Sequence, residues 1–189
     1  MATLVDNKLL FIHIQKNAGT SISFWLHKYA DGRKVGGKHI HLNRLLREQR
    51  FNFSRDMYNF SFAVVRNPFS KTVSAYKYLK KKTYKRNCKA NITMPFPSFE
   101  EWITTIDETG HKWVWMSQKK YLEQCNLVLR FENLNEEFKQ IQEYLNCYIP
   151  LSNENTSGTT TYQSWYNKKT KNIVSNRLKE DIKFYGYEF

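Results

Sequence analysis

Short apolar runs separated by polar loops recur along the chain. Leu9-Leu10-Phe11-Ile12-His13-Ile14 is continuous enough to be buried on both faces of a sheet, and it predicts a strand. A polar loop, Gln15 to Ser21, leads into Ile22, Trp25, Leu26 and Tyr29, which share one face of a helix, with Thr20 or Ser21 expected near its cap. The Gly-rich, basic stretch 31–38 breaks the pattern. His39 and His41 then stand at the entrance to a short helical face made by Leu42, Leu45 and Leu46. Phe60-Ser61-Phe62-Ala63-Val64-Val65 predicts a second strand, and Arg66-Asn67-Pro68 follows it, with Pro68 suited to the first turn of a helix. That helix carries Val73, Tyr76 and Leu79 and is expected to dissolve in the basic run 80–86.

Residues 87–98 read as a loop, with helical patches over 99–106 and 115–122. Asn126-Leu127-Val128-Leu129-Arg130-Phe131 predicts a third strand, and 134–145 an amphipathic helix through Leu134, Phe138, Ile141 and Leu145. The polar stretch 152–164 precedes a last helix through Ile173, Leu178, Ile182 and Tyr185, ending at Gly186. There is no internal repeat and no linker, so residues 1–189 are expected to form one domain. Strands alternating with helices imply an α/β fold: a central, mostly parallel sheet flanked by helices in three layers. In such a fold ligands gather beyond the carboxyl ends of the strands.

Composition narrows the chemistry. A hydrophobic content of 41%, with 16% aromatic residues, exceeds what a disordered chain carries. The formal net charge of +13 favours anionic ligands, but does not choose among nucleic acid, an acidic membrane surface, a polyanionic glycan and a nucleotide-like cofactor. Cys88, Cys125 and Cys147 are odd in number and lack metal-binding spacing, so reduced thiols and no metal site are expected. No run approaches the about 18 apolar residues of a membrane span, and residues 1–10 lack a signal-like stretch; cytoplasmic residence is the expectation. The sequons at Asn52, Asn59, Asn91 and Asn155 are of the number an Asn-rich chain generates by chance.

A loop that leaves a buried strand and opens a helix presents unpaired backbone N–H groups and a positive dipole end to an anion. Gln15, Lys16, Asn17, Ala18, Gly19, Thr20 and Ser21 have that design, with Gly19 allowing close approach, hydroxyls at Thr20 and Ser21, and Lys16 as a mobile charge able to follow a leaving oxygen. Lys16 precedes Gly19, so this is not a Walker loop. Val65 is followed by Arg66 rather than by an acidic metal ligand, which disfavours magnesium-dependent nucleotide hydrolysis.

The segment from Phe11 to Ser21 resembles the 5′-phosphosulfate loop of the sulfotransferases that use 3′-phosphoadenosine-5′-phosphosulfate (PAPS), in the carbohydrate sulfotransferase branch. Phe62-Ala63-Val64-Val65-Arg66-Asn67-Pro68-Phe69-Ser70-Lys71-Thr72-Val73-Ser74-Ala75-Tyr76 resembles that family's 3′-phosphate element, which implies that Arg66 and Ser74 hold the 3′-phosphate. Arg66 lies eight residues before Ser74, a spacing that lets a loop and the second turn of a helix meet one anion. The resemblance continues through 129–134, Asn155-Thr156-Ser157 and 180–189, which implies that Asn155 and Ser157 lie near the cofactor.

Together these readings describe a P-loop-like enzyme that moves a sulfuryl group from PAPS to a hydroxyl of an acceptor, a carbohydrate or anionic glycan, leaving 3′-phosphoadenosine 5′-phosphate. Lys16 is expected to neutralise the leaving group. His is the natural general base near neutral pH. The resemblance points to His39 first and His41 second, while His13 is expected to fill structure and His27 and His111 lack a supporting motif. The basic run 77–89 suits either a glycan or a solvated helix face. No nucleic acid partner is expected. The rival readings are a non-catalytic basic module that binds polyanions and an ATP-dependent small-molecule kinase.

Overall fold

The computed structural model describes residues 2–37, 39–89, 95–122, 125–152 and 161–189. The chain divides into two compact units, Met1–Arg66 with Gln118–Thr156, and Asn67–Ser117 with Ser157–Phe189. Asn155 and Ser157 lie outside the described residues. No helix among the described residues is long and apolar enough to cross a membrane.

The first unit is a mixed five-stranded sheet in the order β3-β1-β2-β4-β5, formed by β1 (Ala2–Val5), β2 (Leu9–Ile12), β3 (Arg33–Val35), β4 (Phe60–Val65) and β5 (Leu127–Arg130). The three strands expected from apolar runs form its parallel core, β2 beside β4 and β4 beside β5. Two short strands were not anticipated: β1 pairs antiparallel with both β2 and β3. The β1–β2 hairpin turns at Asn7, whose φ of 57° is the left-handed conformation that Asn tolerates. On β3 the exposed Arg33 and Lys34 guard the sheet edge, and Arg33 pairs with Asp6 at 2.8 Å, holding that carboxyl below its ordinary range.

Alternation along the strands decides what packs where. Leu9, Phe11, Phe62, Val64 and Leu129 join Ile22, Trp25 and Leu26 of α1 (Gly19–Tyr29) in one core. Phe138 and Ile141, from the pair α6 (Leu134–Glu137) and α7 (Lys139–Tyr144), close that core. The expected single helix over 134–145 is thus two, meeting at Phe138, whose buried ring packs 5.1 Å from Trp25. The opposite register positions Leu4, Leu10, Ile12, Ala63 and Val65 are also buried, so the inner strands read as unbroken apolar runs. The short helices α2 (Leu42–Arg47) and α5 (Lys119–Leu122) complete this unit.

In the second unit, α3 (Pro68–Lys89) starts where expected, but continues through the basic run instead of dissolving. Lys is a good helix former, and polarity there only exposes the helix. Asn67 caps α3 by accepting the Phe69 N–H at 2.9 Å, and its amide donates to the Glu188 carbonyl at 2.7 Å. Tyr76 centres an aromatic cluster with Phe99 and Trp102 of α4 (Phe99–Thr104) and with Trp165. The expected final helix is again two, α8 (Lys168–Arg177) and α9 (Lys179–Tyr185), with Gly186 in the left-handed C-terminal position at φ 63°. Lys71 of α3 is 2% exposed; its Nζ donates to the Met116 carbonyl at 3.2 Å. Burial pulls the Lys71 pKa down to about 8, with the charge of buried Asp181 acting in the opposite direction. Asp181 itself accepts from the Ser117 hydroxyl at 2.6 Å.

Candidate active site

Because β2 and β4 are parallel neighbours, with Ile12 opposite Ala63, the loops that follow them leave the sheet side by side. The first loop holds two non-glycine residues in the left-handed region, Lys16 at φ 66° and Ala18 at φ 58°. Such a conformation persists where its surroundings hold it in place. Here the constraint is Asn17, 1% exposed, whose Nδ2 donates to the Val64 carbonyl at 2.7 Å and to Gln118 Oε1 at 2.6 Å. The Asn17 amide nitrogen is therefore committed to the protein, which leaves the loop backbone for a ligand. Gln15 Oε1 and Asn17 Oδ1 are buried with no hydrogen-bond partner; both are acceptors, fit to receive a hydroxyl or amino hydrogen but not an anion's oxygen.

The helix start differs in detail from the expectation. Ala18 is the N-cap residue, and Gly19, Thr20 and Ser21 form the first turn of α1 instead of capping it. The first bond of this turn runs from the Ile22 N–H to the Ala18 carbonyl, so the N–H groups of Gly19, Thr20 and Ser21 have no acceptor within the helix. Thr20 is exposed and Ser21 buried. Gly19 is required by space: a Cβ there would stand 1.9 Å from the imidazole of His13.

Two cations converge on this loop. Arg66 Nη1 donates to the Lys16 carbonyl at 3.1 Å, and its guanidinium lies 3.9 Å from the centre of the Phe131 ring. Burial, with the Arg66 charge adding to it, lowers the Lys16 pKa to about 8. The Lys16 ammonium is thus still mostly protonated at neutral pH.

The histidines differ in their contacts. His39, at φ 53°, places its ring 4.8 Å from that of His13, and its Nδ1 3.4 Å from the His13 carbonyl oxygen. A carbonyl only accepts, so in this contact Nδ1 is the donor. His41 stacks on Tyr121 at 3.9 Å, with its Nδ1 3.2 Å from the Lys120 carbonyl, an arrangement that fastens the start of α2 to α5. His13, expected to be structural filler, is half-buried between Gly19 and His39 and touches the first loop. Ser74 belongs to the second unit, where it is buried on the second turn of α3.

Sequence reasoning missed Gln118. It falls in a stretch expected to be helical, but stands just outside α5, fully buried, bonded to Arg66 and Asn17. No motif marks it, because its partners lie 52 and 101 residues away.

The model of the sulfotransferase family matches residues 2–188. No curated protein and no solved structure matches the chain.

Proposed function

The chain belongs to the sulfotransferase family, whose members are PAPS-dependent enzymes, and on that premise we propose that it sulfates a hydroxyl of a carbohydrate acceptor. The observation that carries the reading is the meeting of Lys16 and Arg66 at the first loop, past adjacent parallel strands. The residues suit the donor. Backbone N–H groups at the start of α1 and the Lys16 ammonium face the demand of a 5′-phosphosulfate, and Arg66 that of the 3′-phosphate. PAPS, when bound, supplies the sulfuryl group. His39 Nε2 takes the proton of the acceptor hydroxyl, and Lys16 holds positive charge where negative charge develops on the leaving side.

The formal net charge of +13 supports an anionic glycan as acceptor. Cytoplasmic residence is part of the same proposal, supported by free thiols at Cys125 and Cys147.

The test is calorimetry with adenosine 3′,5′-bisphosphate, AMP and ATP, followed by transfer of label from PAPS to a panel of glycans. Tight binding of the bisphosphate, and a rise in its Kd of about 10- to 150-fold in Arg66→Ala from loss of about 1.5–3 kcal/mol, are expected. Salt-sensitive polyanion binding without a 3′-phosphate preference would establish the non-catalytic module instead. A preference for ATP with magnesium would establish the kinase.

A further inference from the structure

Gln118 has 0% exposure, and its carboxamide bonds to Arg66 and Asn17. Its Nε2 donates to the Arg66 carbonyl at 2.9 Å, while its Oε1 accepts the Arg66 backbone N–H at 2.9 Å and the Asn17 Nδ2 at 2.6 Å. The Arg66 carbonyl can only accept and its N–H only donate, so the orientation of the Gln118 amide is determined, and Asn17 must offer its nitrogen. One side chain thereby holds the Arg66 backbone just past the end of β4 at Val65, and ties that residue to the first loop. Asparagine is one methylene too short for this bridge, and ionised glutamate lacks the donor.

We propose that Gln118 is the positioning residue that fixes the Arg66 backbone against the first loop, and so sets the preference of the chain for a nucleotide bearing a 3′-phosphate. The proposal rests on the reading of Arg66 as the 3′-phosphate ligand. Its signature is asymmetry. Without Gln118 the Arg66 backbone loses these two bonds, whereas Asn17 keeps its bond to the Val64 carbonyl, and the start of α1 keeps its shape. Binding at the 3′ end suffers and binding at the 5′ end does not.

Gln118→Met, similar in volume but without the amide, tests this by calorimetry with adenosine 3′,5′-bisphosphate and with AMP, run well below the melting temperature of each variant. The expected result is a loss of about tenfold in bisphosphate affinity with AMP affinity held within about twofold. In an Arg66→Ala background, the same change should have no further effect on the bisphosphate. Gln118→Glu, which retains both acceptor contacts, carries the test if the Met variant does not fold, and should also lower the preference. An equal loss for both nucleotides, or no loss, overturns the proposal and leaves the role of Arg66 standing. A parent protein without any 3′-phosphate preference overturns both.

Discussion

Replacing Gly19 by alanine puts a methyl group where a hydrogen stood, yet the structure leaves no place for it. The new Cβ would lie 1.9 Å from His13 Cδ2, 2.1 Å from Nε2 and 2.5 Å from Cγ, where ordinary contact begins at 3.4 Å. The imidazole must retreat by more than an ångström, and the His39 ring, 4.8 Å away, stands beside it. Gly19 is not at positive φ, so crowding alone makes the penalty. Overpacking of this kind costs about 1–3 kcal/mol, which for a chain of this length lowers Tm by about 2–12 °C. Thermal melts of Gly19→Ala, His13→Ala and the double variant measure it. Removing the imidazole should relieve the clash, so Gly19→Ala is expected to cost far less in the His13→Ala background than in the parent. The reasoning fails if Gly19→Ala melts within about 1 °C of the parent, or if the two substitutions are additive.

Two further outcomes concern Lys16 and the histidines. With the Lys16 pKa lowered to about 8, the useful protonated form is present below that pH and is lost above it. Accordingly kcat/KM for PAPS should fall about tenfold per pH unit on the alkaline side, and Lys16→Arg should remove that limb; a flat profile to about pH 9.5 refutes the role. His39→Ala should lower kcat by about 10²–10⁴, whereas His41→Ala should lower stability by about 0.5–1.5 kcal/mol through loss of the Tyr121 stack and spare turnover. Melts and single-turnover rates of both variants decide it, and the reverse order moves the base to His41.

What the sequence made legible was whatever rested on local pattern. β2, β4 and β5 are apolar runs closed by polar loops, and Pro68 marks the start of α3. β3 has one apolar residue in three, and β1 is only four residues long, with a turn at Asn7 that marks its end but not its type, so neither carries a pattern of its own; their pairing is tertiary. The breaks at Phe138 and Leu178 were hidden because both halves pack on the same core, which preserves the periodicity across them. The candidate loops were legible as anion sites, since strand, polar loop and helix follow in order. Gln118 was not, because its partners lie far along the chain, nor was the approach of His13 to Gly19, which depends on how the loop between them folds back.

The enclosed Lys71 amine has a consequence for chemical labelling. Acylating reagents attack neutral amines, and with its pKa near about 8 Lys71 is more often neutral at physiological pH than an ordinary exposed lysine; but at 2% exposure no reagent reaches it. Once the surrounding helices part, it behaves as any other lysine does. The speed of its modification relative to Lys80 or Lys81 is therefore a clock for transient opening of the second unit, set by the protein itself without an added probe.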